Sequence, residues 1–186
     1  PVVPSDQLIA QMVPPAMFDE VSFAVNGFGG KIWQPTSCAR LGVISPFCDT
    51  SALNLLSGLP TAEKAVIISR PDQLACVDSA TLDAFERVSV LDEMAATEDG
   101  EEVSTSALQG LHAKAFIAET GWDTILTIGS GNATRPALLS GNNVELFASL
   151  RGKRSKVGSV EQIMGEKGFG RLTRTFVSSE LEPIDP

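Results

Sequence analysis

Hydrophobic and polar positions along residues 41–91 follow a pattern that predicts strands separated by helices. The apolar runs "RLGVISPF" and "KAVIISR" are typical of buried strands. Between them, "CDTSALNLLSGLP" predicts a helix that begins at the capping residues Asp49, Thr50 and Ser51 and ends at Gly58. We expect the buried face of this helix to consist of Ala52, Leu55, Leu56 and Leu59.

The second half of the chain carries three strand patterns in close succession. After a helical segment, "QLACVDSATLDAFERV", and a further strand, "RVSVLDEM", come the runs "LHAKAFIAE", "DTILTIGS" and "NVELFASL". The turn "TGWD" predicts a hairpin between the first two runs, and "GNATRPALLSGN" connects the last two. Alternating strands and helices followed by consecutive strands indicate an α/β domain with a mixed sheet.

The remaining segments carry weaker signals. "PVVPSDQLIAQMVPPAMF" predicts an extension with one short helical turn, and "DEVSFAVNGFGGKIW" predicts a hairpin around "NGFGG". The acidic stretch "ATEDGEEVSTSA" is expected to be a solvated loop. We therefore interpret residues 1–186 as a single domain, with an extension and hairpin in 1–40, the core in 41–150, and a basic loop and C-terminal segment in 151–186.

Composition narrows the class of protein. Of the 186 residues, 43% are hydrophobic and 20% are charged, which is typical of a globular domain. No apolar run approaches the roughly 20 residues of a membrane helix and no leader is visible, so we expect no membrane partner. The 3 cysteines are widely spaced, which favours reduced thiols in a cytoplasmic protein.

Charge and histidine content exclude further classes. The net charge of −9 argues against a surface that wraps nucleic acid without specificity, although a local basic patch remains compatible with it. Because the chain has a single histidine, His112, we expect no His-rich metal centre. We also expect no cofactor.

His112 and Lys114 stand two positions apart in "LHAKAFIAE". In a strand such residues share one face and lie about 6.5 to 7 Å from one another. One interpretation is a core histidine beside a lysine that extends to solvent. The alternative is a site, because a cation on a half-buried strand needs an anion and the same-face neighbours Phe116 and Ala118 supply none.

The strand after the hairpin ends in "IGSGNATRP", which offers neutral groups for a ligand. Gly129 and Gly131 allow close approach of the main chain, and Ser130, Asn132 and Thr134 carry hydrogen-bonding side chains. A Gly-Ser-Gly-Asn turn alone is more often a simple strand ending than an anion cradle. Next to the histidine and lysine it suits a phosphodiester bound without a metal.

These two segments resemble the HxKxxxxD and GSxN signature of the phospholipase D superfamily, which includes lipases, transferases, bacterial nucleases and DNA-repair phosphodiesterases. The resemblance covers roughly residues 41–150 and implies a phospholipase D-like domain with a mixed, mostly central β-sheet flanked by helices on both faces. It assigns catalytic roles to His112, Lys114, Ser130, Asn132 and Glu145, with Glu145 orienting the histidine.

The chain departs from the family pattern in three respects. Glu119 replaces the aspartate of the motif, and strand parity puts it on the face opposite His112, so we expect it to be a structural partner of a turn or a basic residue. The interval from Glu119 to Gly129 is a few residues longer than usual. Family members combine two motifs, whereas one histidine permits only one here. The second motif would come from a homodimer or from another part of a longer parent chain, and without it the domain is silent.

The resemblance implies a nucleophilic histidine that forms a phosphohistidine, with a second histidine acting first as acid and then as base. The substrate is expected to be DNA or RNA, because "RGKRSKVG" is the only basic concentration in the chain and predicts a basic loop at the rim of the site. Two alternatives stay open: a silent nucleic-acid-binding or accessory domain, and a phospholipase or phosphatidyl transferase. The expected substrate-binding residues are Gly129, Gly131, Thr134, Arg135, Lys153 and Arg154.

Overall fold

A computed structural model describes residues 12–92 and 111–177 of the chain. The helical turn expected near the N-terminus and the acidic stretch at 96–107 lie outside the described residues. The same holds for the end of the C-terminal segment, from residue 178 onward.

The strands form one mixed sheet, so the α/β class expected from the sequence is confirmed. Its eight strands are arranged in the order β1-β7-β6-β5-β2-β3-β4-β8. β2, β3 and β4 run parallel to one another, and the other neighbours are antiparallel. The strands are β1 Glu20–Asn26, β2 Arg40–Ile44, β3 Val66–Ile68, β4 Arg87–Leu91, β5 Ala115–Thr120, β6 Asp123–Gly129, β7 Glu145–Lys153 and β8 Thr173–Thr175.

Short helices connect and cover the strands. Only the first is as long as eight residues among the helices of the described ranges. They are α1 Thr50–Ser57, α2 Pro71–Leu74, α3 Ser79–Leu82, α4 Arg135–Leu138, α5 Arg154–Val157, α6 Val160–Met164 and a 3-10 helix at Phe169–Leu172. The single helix predicted from "QLACVDSATLDAFERV" is wrong, since α2 and α3 are separate four-residue helices.

Helix α1 has the ends that its sequence predicts. The side chain of Asp49 accepts a hydrogen bond from the Ala52 N–H at 2.9 Å, and Gly58 is the C-terminal cap. The predicted buried face needs correction, because Leu53 is fully buried whereas Leu55 is only partly buried. Neighbouring elements cover more of this short helix than a single apolar stripe.

The sheet has a hydrophobic layer on each face. Val43, Phe116 and Phe147 belong to one buried cluster, which also contains residues of α1 and α4. The opposite face packs Ala115 and Ile117 against α6. A Cβ on Gly42 would lie 2.2 Å from the sulfur of a methionine in α6, so glycine at this position lets the helix approach β2.

The hairpin predicted around "NGFGG" is wrong: β1 pairs with β7, at the edge of the sheet. The Asn26 side chain explains the different course. It accepts from the Trp33 N–H at 2.7 Å and donates to the Trp33 carbonyl at 3.1 Å and the Ala137 carbonyl at 2.8 Å. Trp33 then stacks on Phe147 with ring centroids 4.2 Å apart, so the chain crosses the sheet face rather than pairing.

The hairpin predicted from "TGWD" does form between β5 and β6. Thr120 pairs with Asp123, which leaves Gly121 and Trp122 as a two-residue turn. Gly121 has a positive φ of 58°, a conformation that glycine adopts without strain.

Candidate functional site

The strand register brings the predicted motif segments to one edge of the sheet. Ala115, at the start of β5, pairs with Ile44 at the end of β2 and with Ile128 near the end of β6. Gly129, the last residue of β6, pairs with Phe147 near the start of β7. The segments that precede β5, follow β6 and begin β7 therefore meet at one end of these strands, which we call the motif edge.

His112 and Lys114 lie just before β5 rather than within it. The strand begins at Ala115 because its partner β2 ends at Ile44, two residues ahead of Pro46, which has no N–H to continue a ladder. His112 is exposed and Lys114 is half-buried. Ala113, between them, is exposed as well.

The ammonium of Lys114 and the imidazole of His112 are differently engaged. Lys114 Nζ donates to the His112 carbonyl oxygen at 3.0 Å, which leaves further N–H donors on the ammonium for a ligand. Within the described ranges the His112 imidazole has no hydrogen-bonding partner. The histidine ring is therefore accessible to a ligand or to a partner chain at the motif edge.

Ser130 and Glu145 form the best-organised polar pair of the motif edge. Ser130 Oγ donates to Glu145 Oε2 and accepts from the Leu146 N–H at 3.1 Å. Asn143 Nδ2 donates to the other carboxylate oxygen at 3.3 Å. Glu145 is 7% exposed. Its described partners hold the turn, and His112 is not among them.

The two glycines of the turn allow it to pack against β7. A Cβ on Gly129 would lie 2.1 Å from the Leu146 carbonyl oxygen, and one on Gly131 would lie 2.3 Å from the Phe147 ring. The close approach that the sequence indicates is thus made to the protein's own main chain and core. Larger residues would displace Ser130 and Asn132 from the motif edge.

Asn132 carries a buried acceptor without a donor. Its Oδ1 has no hydrogen-bond partner among the described residues, although its main-chain carbonyl accepts from the Thr134 N–H at 2.8 Å. Such atoms are rare in folded proteins, and a ligand or partner that brings a donor would satisfy them. Thr134 is half-buried before α4, and the side chain of Arg135 is exposed beside it.

Two residues outside the predicted site stabilise this turn by hydrogen bonds. Ser45 Oγ accepts from the Ala133 N–H at 2.8 Å, and Asp49 Oδ2 accepts from the Arg135 N–H at 2.5 Å. Asp49 was expected only as the cap of α1. No sequence signal links these pairs, because 86 to 88 positions separate their members.

The predicted basic loop is not next to the motif. Lys153 is the last residue of β7 and pairs with Asp123, and Arg154 begins α5. Asp123 and Gly129 stand at opposite ends of β6, and at about 3.4 Å per residue they are about 20 Å apart. Lys153 and Arg154 therefore do not form a basic rim beside Ser130 and Asn132, and the position expected for the basic loop is wrong.

We call the opposite end of these strands, where Asp123 and Lys153 lie, the far edge. Its basic residues are paired with carboxylates. Lys153 Nζ lies 2.8 Å and Arg151 Nη2 2.7 Å from the carboxylate oxygens of Asp123. Hydrogen bonds from Lys153 and Arg151, together with their charges, hold the pKa of Asp123 below its ordinary value.

Glu119 belongs to the same far edge and to the face covered by α6. Its Oε2 accepts from Arg154 Nη1 at 2.6 Å, and its Oε1 accepts from the Val160 N–H at 2.7 Å. The residue is 8% exposed. The acid in the motif's aspartate position is thus engaged with α5 and α6, away from His112.

Neither protein-family models nor curated proteins match this chain in sequence. Within residues 12–92 and 111–177, no group of three His, Cys, Asp or Glu side chains is arranged to hold a metal ion. No helix in these ranges has the length and hydropathy to cross a membrane.

Proposed function

We propose that this chain is a phospholipase D-like domain that supplies one half of a metal-independent phosphodiesterase site acting on nucleic acid. The observation that carries the proposal is the convergence of the His112–Lys114 segment, the Gly129–Asn132 turn and Glu145 at one sheet edge. These segments are separated in the sequence, and the strand register is what brings them together. The accessible imidazole supports the assignment of a ligand to this edge.

The chemistry follows from the groups present. The neutral imidazole of His112 attacks phosphorus, a nitrogen–phosphorus bond forms, and the bond to the leaving oxygen breaks. A second histidine, supplied by another motif, gives its proton to that oxygen. Water then attacks the phosphohistidine, the second histidine takes the water's proton, and the nitrogen–phosphorus bond breaks to release the phosphate monoester.

The remaining groups stabilise charge on the non-bridging oxygens. The Lys114 ammonium and the Asn132 side-chain amide are the donors proposed for this role, and such preorganised donors contribute a large part of catalysis in many enzymes. Glu145 acts indirectly: its carboxylate accepts a hydrogen bond from Ser130 and so holds the turn in position. The site requires a second motif-bearing half, from a homodimer or from another part of a longer chain.

Hydrolysis of bis(p-nitrophenyl) phosphate in EDTA tests the proposal. We expect turnover that EDTA does not abolish and that His112→Ala removes, while the exposed position of His112 leaves the unfolding free energy within about 0.5 kcal/mol of the parent. Lys31→Ala, at another exposed cation, serves as the matched control and should retain activity. Light scattering on the same samples reports whether activity follows dimer formation.

A second candidate, a domain that binds nucleic acid without cleaving it, is favoured by one observation. Glu145 is committed to Ser130 and Asn143, and within the described ranges it does not orient the histidine. This alternative predicts that the chain binds an oligonucleotide with an affinity that falls as salt rises, and that no assembly state hydrolyses the diester. Measuring binding and hydrolysis on one preparation separates the two functions.

A further inference from the structure

The tip of the β5–β6 hairpin presents a tryptophan to solvent. Trp122 is 83% exposed, the second residue of the two-residue turn, and its carbonyl oxygen accepts from the Arg154 N–H at 2.9 Å. Hydrogen bonding thus fixes the main chain of the turn while the indole ring stays uncovered. Packing within the described residues does not account for a tryptophan at this position.

Trp122 lines a groove at the far edge of the sheet, which we call the hairpin groove. The groove has a volume of about 640 Å³ and lies between the turn and the start of α6. Its lining residues are Trp122, Lys153, Arg154, Ser155, Ser159, Glu161 and Gln162. An aromatic face, two cations and hydroxyl groups therefore surround one open space.

Four cations lie close together in the sequence beside the groove. Arg151, Lys153, Arg154 and Lys156 supply four cations within six residues, and Asp123 and Glu119 are the carboxylates paired with three of them. The side chains of Lys153 and Arg154 remain 55% and 33% exposed. Each has further N–H donors beyond its carboxylate contact.

Glu161 is the acidic member of the lining. Its carboxylate is in contact with Arg40 at 3.2 Å and Arg87 at 3.4 Å, which lie on β2 and β4. These two guanidinium groups offset part of the charge of Glu161, although Arg40 also pairs with Glu63 and Glu86. The lining itself therefore carries two cations, Lys153 and Arg154, against the one carboxylate of Glu161.

We propose that the hairpin groove binds single-stranded nucleic acid, with one base stacked on Trp122 and adjacent phosphates on Lys153, Arg154 and Lys156. Stacking on an exposed aromatic ring next to cations is how proteins hold single strands without reading their sequence. The inference rests on the proposed function for its substrate class and for none of its catalytic steps.

Fluorescence anisotropy with a labelled twelve-residue oligothymidylate, in EDTA and at low salt, tests the proposal on the full chain. We expect Trp122→Ala to weaken binding by about 5- to 150-fold, the loss that removing one stacked base produces, and Trp122→Phe to keep most of the affinity. Phe28→Ala removes an aromatic side chain that is 77% exposed just after β1, on the side of the motif edge, and it should weaken binding less than Trp122→Ala does.

A second variant tests the phosphate contact. Lys153→Ala should lower the dependence of log affinity on log salt by about 0.7, the value for one phosphate contact on a single strand. Equal affinities of the parent and Trp122→Ala, or equal losses in Trp122→Ala and Phe28→Ala, would overturn the inference. So would loss of self-association without loss of oligonucleotide binding in Trp122→Ala, since it would assign the groove to protein contacts.

Failure of this inference and failure of the proposed function are distinguishable. The small diester bis(p-nitrophenyl) phosphate has no base to occupy the groove, so Trp122→Ala should hydrolyse it as the parent does. Diester hydrolysis without oligonucleotide binding overturns the groove alone, whereas Trp122-dependent binding without hydrolysis overturns the catalytic proposal alone.

Discussion

Replacement of Glu119 by glutamine tests whether the acid in the motif's aspartate position supports the fold or the chemistry. The carboxylate of Glu119 accepts two hydrogen bonds, from Arg154 at 2.6 Å and from the Val160 N–H at 2.7 Å, and the residue is 8% exposed. Both partners are donors. An amide of the same shape has one oxygen, so its NH2 group must face one of these donors.

The size of the effect follows from these contacts. A hydrogen bond to a charged group contributes about 1.5–3 kcal/mol, and a buried donor left unpaired costs about 1–3 kcal/mol. Arg154 is one-third exposed, so water recovers part of the loss on its side. We expect Glu119→Gln to lower the unfolding free energy by about 2–3 kcal/mol.

Urea unfolding measures this change. With a slope of about 2 kcal/mol per molar urea, the midpoint should fall by about 1–1.5 M. Glu166→Gln, at an exposed glutamate, should shift the free energy by less than about 0.5 kcal/mol. Diester hydrolysis below the unfolding transition should survive in Glu119→Gln. A stable but inactive variant would contradict the structural role, and so would unchanged stability.

Three further predictions concern the core and the far edge. Arg40→Met should lower the unfolding free energy by about 2 kcal/mol in the same urea assay, because its guanidinium, 10% exposed, is shared by three carboxylates; an unchanged value would refute this. Burial raises the thiol pKa of Cys38 and Cys48 to about 11, so at pH 8 about one in a thousand is ionised, and a thiol reagent should modify the exposed Cys76 first; equal rates would count against the packing. The lowered pKa of Asp123 contributes stability at pH values above the ordinary pKa of aspartate, and this stability is lost as the pH falls through the pKa of the folded state. Asp123→Asn should therefore make the urea midpoint depend less on pH below about pH 4; the same pH dependence in variant and parent would contradict this.

The sequence predicts the elements where local signals and burial agree. Continuous apolar runs identify β2 and β3, and Asp49 and Gly58 identify the ends of α1. The composition of the turn at Gly121 gives the β5–β6 hairpin. These features depend on residues close to one another in the chain.

The errors concern contacts between distant residues. The glycine-rich turn after β1 is typical of a hairpin, but Asn26 bonds the Ala137 carbonyl, 111 positions away, and β1 pairs with β7. The basic loop was expected at the rim of the motif because it is the only basic concentration in the chain. Register decides otherwise, since β7 carries Lys153 to the edge opposite Gly129.

The motif was predicted in part. Its residue types and spacing indicated a phosphodiester site, and the register brings the segments to one edge. The hydrogen-bond partners were not predicted: Glu145 accepts from Ser130, and Ser45 accepts from the Ala133 N–H after the turn. Pairings of this kind depend on side-chain positions that the spacing of residues does not determine.

Trapping of a covalent intermediate tests the central claim most directly. The full chain is incubated with bis(p-nitrophenyl) phosphate in EDTA, quenched in alkali, where phosphohistidine is expected to persist, and digested for mass spectrometry. The account predicts a p-nitrophenyl phosphoryl adduct on His112, formed with release of one p-nitrophenolate and absent in His112→Ala. Turnover without an adduct on His112, or turnover that His112→Ala retains, would contradict it.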